Sequence, residues 1–309
     1  MKVGLPVELL YLDWGKRLKT YMETSDSSLK LVHLPEHGSK GANFTLSEGD
    51  ACFPFKKMVR NAIALLPEVD ILLVPRLVKL DGYLLCPNFR ALPDIVALNR
   101  DRLPGNLSGK PLVDTVVEVN DDADEQRIFA RIIQELTGAG PGKKTRDQQG
   151  ARPQEQQMKQ PPVCDEKTIV IIGRPYVLRD PHHNMGIPEL IKSRGYKVLT
   201  TQDLPFAELD ILAAEHDYYA KTLYWRGARE CLGSFMYYTE HCRPAGIIFI
   251  LAFNCGVDAL MRLELMSLHK KLEPQIPFMV LVGDEHTQKE HIVTRLEAFL
   301  DVIDGITCN

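Results

Sequence analysis

Along the chain, short continuous apolar runs alternate with stretches in which apolar residues recur every three to four positions. In the first half, residues 3–5 read as a strand, 14–22 as a helix and 29–34 as a second strand. Residues 52–66 carry apolar side chains at helical spacing, with Pro54 near the start, where a missing N–H is harmless. Residues 70–74 and 112–117 read as buried-type strands, and 125–136 as a helix. The second half repeats this grammar. Strands at 168–172, 197–200, 246–253 and 277–282 alternate with helices at 187–194, 211–238, 259–272 and 288–303. Strands that are apolar along their whole length belong to parallel sheets covered on both faces. The pattern predicts an α/β protein of two Rossmann-like lobes with mostly parallel sheets.

Composition changes abruptly between the lobes. Residues 138–165 are rich in Gly, Gln, Pro and charge, with almost nothing to bury, so ordering them could not recover their conformational entropy. They read as a flexible linker joining an N-terminal lobe, 1–137, to a C-terminal lobe, 166–309. Residues 138–145 imitate a phosphate-binding loop. The second Gly comes one residue too early, however, and a helix precedes it where a strand is needed.

The 309 residues suffice for two cores, and the 45% apolar, 25% charged composition is that of a soluble globular protein. A net charge of -4 with scattered Lys and Arg argues against a nucleic-acid partner. No apolar run approaches the roughly 18 residues of a membrane span. The N-terminus lacks the apolar core of a signal peptide, so the expected compartment is cytoplasmic and reducing, where structural disulfides are not expected. Seven cysteines then need another account, and metal binding or catalysis leads.

Cys255, in Phe253-Asn254-Cys255-Gly256, sits where a strand hands over to a helix. Free N–H groups and the helix dipole favour a thiolate there, although a buried core cysteine would look the same. Cys52 opens a helix, with Lys56 one turn on, and Cys86 precedes Pro87 in a loop after strand 70–74. Spacings of this size carry no ligand signature, so only tertiary structure could bring the three together. Cys164 and Cys308 read as incidental surface thiols, Cys231 as a packing residue, and Cys242 as an outside candidate. No Cys-x-x-Cys pair exists, and His33 and His37 have no cysteine close in sequence, which disfavours structural zinc.

Several segments together resemble one family: residues 1–6, Glu48 through Lys56, Pro75-Arg76-Leu77-Val78 through Cys86-Pro87, Gly173-Arg174-Pro175-Tyr176, Phe253 through Asp258, and Asp284-Glu285-His286 with 294–299. They are similar to the acyl-CoA dehydratase activase-related proteins, of the 2-hydroxyacyl-CoA dehydratase and benzoyl-CoA reductase cluster-subunit superfamily. The resemblance implies a 4Fe-4S cluster held by Cys52, Cys86 and Cys255, or a bridged double cubane. It also implies a separate ATP-hydrolysing activator, with its own cluster, supplying low-potential electrons for a hard-to-reduce acceptor. Whether two subunits pool six cysteines in a homodimer stays open, as does whether the chain is itself an ATP-partnered reductase or an acyl-CoA dehydratase-like component. Nothing in the sequence reads as the ATPase module that larger activases carry. The alternative is a non-redox bilobal module docking an activase ATPase or an acyl-CoA.

Around the cysteines, Lys56, Arg76, Tyr176, Asn254 and His286 are cleft candidates. His286 follows strand 277–282 and could donate a proton. Equally, Asp284 could simply shape the loop into the last helix. The adjacent His182 and His183 read as solvated loop residues.

Overall fold

The computed structural model describes residues 1–34, 50–103, 105–138, 162–216 and 223–307. His37, Cys308 and most of the expected linker (139–161) lie outside these. The chain divides into two compact units, Met1–Ala51 with Phe55–Gln157, and Cys52–Pro54 with Met158–Asn309.

In the first unit, β1 (Lys2–Gly4) leads through α1 (Asp13–Ser25) to β2 (Lys30–Val32), and α2 (Phe53–Leu65), which belongs to this unit from Phe55 on, precedes β3 (Ile71–Leu73). The buried stripe Phe55, Met58, Val59, Ala62 and Ile63 on α2 follows the period that the sequence announced. Next come β4 (Arg76–Leu80), β5 (Tyr83–Leu84), α3 (Pro87–Asp101), β6 (Leu112–Val113), β7 (Val116–Glu118) and α4 (Asp122–Thr137). Four strands form an all-parallel sheet in the order β2-β1-β3-β6. A second sheet, β5-β4-β7, contains the antiparallel pair β4–β5. Asp81 and Gly82, both at positive φ, turn that hairpin, and an Asp-Gly pair suits such a turn.

The strand expected at 112–117 is in fact two, in different sheets. Asp114 and Thr115 break the run, with Asp114 bonded to Arg76 and Thr115 to Glu135. α4 shows ordinary capping chemistry. The Asp121 carboxylate accepts from Asp124 N at 2.8 Å, and Gly138 closes the helix at φ 63°.

The second unit is one four-stranded parallel sheet, and it bears out the α/β expectation most directly. β8 (Thr168–Ile172) is followed by three short helices, α5 (Pro175–Leu178), α6 (Pro181–Asn184) and α7 (Ile187–Ser193), and by β9 (Lys197–Thr200). The single long helix expected at 211–238 is two, α8 (Phe206–His216) and α9 (Arg226–Tyr237). β10 (Gly246–Ala252), α10 (Gly256–Leu272), β11 (Phe278–Gly283) and α11 (Lys289–Thr307) complete it.

Strand order is β11-β10-β8-β9. Alternate residues of each strand face opposite sides. Val170, Ile172, Ile247 and Phe249 join Leu209, Phe235, Met261 and Leu265 in one core. Ile169, Ile171, Ile248 and Ile250 join Val177, Ile191, Leu296 and Leu300 in the other. Every residue of β10 is buried.

Candidate functional site

The order β11-β10-β8-β9 places the topological switch between β8 and β10, and a crevice opens beyond the carboxyl ends of such neighbours. After β8 the chain continues as Gly173-Arg174, and after β10 as Phe253-Asn254-Cys255. Asn254 adopts φ 61°, a left-handed conformation that Asn tolerates better than most residues and that delivers Cys255 to the start of α10. Cys255 is the N-cap of that helix. Its carbonyl accepts from Ala259 N at 2.9 Å, and its side chain makes no capping hydrogen bond.

Beside it lies an ion pair that the sequence reading missed. Arg174 Nε donates to Asp258 Oδ1 at 2.7 Å, with the two side chains only 8% and 2% exposed. Burial works against the Arg174 charge. Asp258 first, then Cys231, Tyr176 and Cys255, nevertheless raise its pKa well above the ordinary value. Gly227 makes room, because a Cβ there would overlap Arg174 Nη1. The available signals were an arginine set between a strand and Pro175, and an aspartate in the first turn of α10.

Burial, and after it Asp258, pushes the Cys255 thiol up, and Cys52 adds to that push. The thiolate expected at this helix terminus is therefore outweighed by desolvation, and a metal binding here must displace a proton. Cys231, wholly enclosed in α9, is pushed up to about 12, chiefly by burial, and packs as expected of a core thiol.

Cys52 is buried and, with Phe53 and Pro54, belongs to the second unit. The Phe53 ring stacks on His183, centroids 4.4 Å apart. The adjacent histidines are not both solvated. Asp180 caps α6 by accepting from His182 N at 2.9 Å, which leaves His182 half exposed and turns His183 inward to 2% side-chain exposure.

Cys86 belongs to the first unit. It does not sit in a plain loop after β3, because the β4–β5 hairpin intervenes and Cys86 is the N-cap of α3. Cys52, Cys86, Cys231 and Cys255 are all outside any disulfide. Cys164 and Cys242 are not, being joined in a disulfide, contrary to the expectation that structural disulfides are absent and Cys164 incidental.

The other candidates divide. Lys56 is half-buried on the first turn of α2, and Tyr176 is half-buried on α5 near enough to Arg174 to act on its charge. Arg76 is committed elsewhere. It grips Asp94 through two hydrogen bonds of 2.6 and 2.7 Å, and Asp114 at 3.0 Å. The His286 side chain is 84% exposed, and its backbone N donates to Asp284 Oδ1, which also accepts from Thr287 Oγ1. Asp284 thus shapes the loop into α11.

Among the described residues, no group of three or more His, Cys, Asp or Glu side chains is arranged to hold a metal. None of their helices is long and apolar enough to cross a membrane. A search of curated proteins found no match. Residues 2–204 match the family model described as the CoA enzyme activase uncharacterised domain (DUF2229).

Proposed function

The chain belongs to that family, as an acyl-CoA dehydratase activase-related protein with a role tied to CoA enzyme activation, and on that premise we propose that it is an iron–sulfur electron carrier. It takes low-potential electrons from a separate ATP-hydrolysing activator and passes them to a hard-to-reduce acceptor. Cys52, Cys86 and Cys255 supply the thiolates. The carrying observation is the chemistry of this donor set: three cysteines outside any disulfide, each at or next to the first turn of a helix, with Cys52 close enough to Cys255 to act on its proton. When bound, a three-thiolate cluster supplies one-electron chemistry and an open iron position.

Around it, the chain's own groups set the environment. Arg174 brings a fixed positive charge that lowers the pKa of the Cys255 thiol, and Asp258 holds that charge in place. Hydrogen bonds to sulfur and nearby charge are the means by which a protein tunes such a centre.

Protein purified without oxygen should contain about four irons per chain with matching sulfide, or about eight for a double cubane. Cys255→Ser should lose both the iron and the brown colour. The lack of a three-donor group among the described residues favours the other reading, a non-redox module that docks an activase ATPase or an acyl-CoA. Protein that stays colourless and iron-free after reconstitution would sink the carrier reading and leave that one.

A further inference from the structure

We propose that the Cys164–Cys242 disulfide is a reversible thiol-exchange site, a redox clip whose reaction partner is a thiol reductant. The two Cα atoms are 5.1 Å apart, within the range that a disulfide spans without moving the backbone. Neither cysteine is sealed in. Both are partly buried at the margin of a core built from β8, β10 and helices α8 to α10, so a small thiol can reach them.

The clip sits at two particular places. Cys164 lies in Pro162–Lys167, the stretch leading into β8. Cys242 ends a wide helical turn, Tyr238–Cys242, after which Arg243 takes φ 47° and the chain enters β10. His241 and Arg243, both exposed, flank Cys242, and basic neighbours favour the thiolate that exchange requires.

The second unit does not need this bond to hold its sheet. β8 and β10 are paired through four register positions, and the two faces of the sheet are closed by separate buried cores. Without the bond, Pro162–Asp165 keep several hydrogen bonds, among them Lys167 N and Thr168 Oγ1 donating to Asp165 Oδ1 at 3.0 and 2.8 Å. Lys197 Nζ donates to Val163 O, Asp165 N to Thr168 Oγ1 at 3.0 Å, and Thr168 N to Asp165 O at 3.0 Å. Opening the clip therefore loosens the entry into β8 and leaves the sheet intact.

The chemistry balances. A reductant thiolate attacks one sulfur, the S–S bond breaks, and its electron pair leaves on the other sulfur. A second reductant thiol then displaces the first sulfur. Two electrons and two protons pass to the protein, and the reductant becomes a disulfide. Oxidised glutathione drives the reverse.

The test uses the full chain equilibrated in mixtures of reduced and oxidised glutathione, quenched by alkylation and read by peptide mass. A tenfold rise in oxidised glutathione, at fixed reduced glutathione, should raise the ratio of bridged to open Cys164–Cys242 about tenfold, and reduction should reverse it. A bridge unchanged in excess reduced glutathione, or thiols that never pair in the oxidised form, would overturn the proposal. Hydrogen exchange supplies the second readout. Reduction, or Cys164→Ser, should speed exchange at 163–168 and leave β10 protected. Loss of β10 protection would make the bond a structural staple and refute the clip. Both readouts are independent of whether the protein carries iron.

Discussion

The two parallel sheets share one strand order, each with its first strand between the second and third: β2-β1-β3-β6 in the first unit and β9-β8-β10-β11 in the second. They fill that order differently. Strands of the first sheet are two or three residues long, whereas those of the second run from four to seven. Each unit also holds an arginine–carboxylate pair. Arg17 in α1 meets Glu125 in α4 with two bonds of 2.7 Å, but the arginine is 38% exposed. Arg174 meets Asp258 with almost no solvent contact. A part-exposed pair contributes little and is easily replaced. A buried pair must recover two desolvation costs, and it persists where its fixed charge serves a neighbour. In the second unit that neighbour is Cys255.

The largest expected effect breaks this contrast at the buried pair. Asp258→Ala should destabilise the second unit by about 3–5 kcal/mol, because it strands the Arg174 charge in the interior. Urea denaturation checks it, and a loss below about 1 kcal/mol would mean that the pair is wet in solution. Gly227→Ala should come next, at roughly 1–3 kcal/mol, since the added methyl group must push Arg174 aside. A double variant with Arg174→Met sharpens the reading: if the guanidinium is the obstacle, most of the Gly227→Ala cost should vanish when it is gone.

In the first unit, Glu125→Ala should cost only about 1 kcal/mol, the solvent-screened counterpart of the Asp258 experiment. Equal losses at Glu125 and Asp258 would erase the distinction between the units.

The smallest effect is in acid. Hydrogen bonding to Arg76 holds Asp94 below its ordinary value of 3.8. A carboxylate lowered on folding contributes stability above the ordinary value, lost as pH falls through the folded one. Asp94→Asn should therefore flatten the acid limb of the stability curve slightly without altering it near neutrality. An unchanged acid limb would show that this largely exposed pair contributes nothing to stability.

Much of this architecture is readable from periodicity. The apolar runs within 168–172 and 246–253 read as interior strands, and the stripe from Phe55 to Ile63 as a helix face. The β4–β5 hairpin escaped notice although Asp81-Gly82 announces it, because its strands are short and only partly apolar. The break at Asp114-Thr115 escaped for a different reason. Their partners, Arg76 and Glu135, lie 38 and 20 residues away in sequence.

The sequence by itself determined the α/β class, the two-lobed division and the placing of Cys255 at a strand-to-helix junction, since these follow from local patterns of burial. Only the tertiary structure decided that Arg174 meets Asp258, that His183 turns inward under Phe53, and that Cys164 pairs with Cys242 across 78 residues. Hydrophobic periodicity is a property of neighbouring positions and can be read along a chain. A specific polar or covalent partner is chosen by which side chains the folded backbone brings within about 3 Å, and that choice has no local signature.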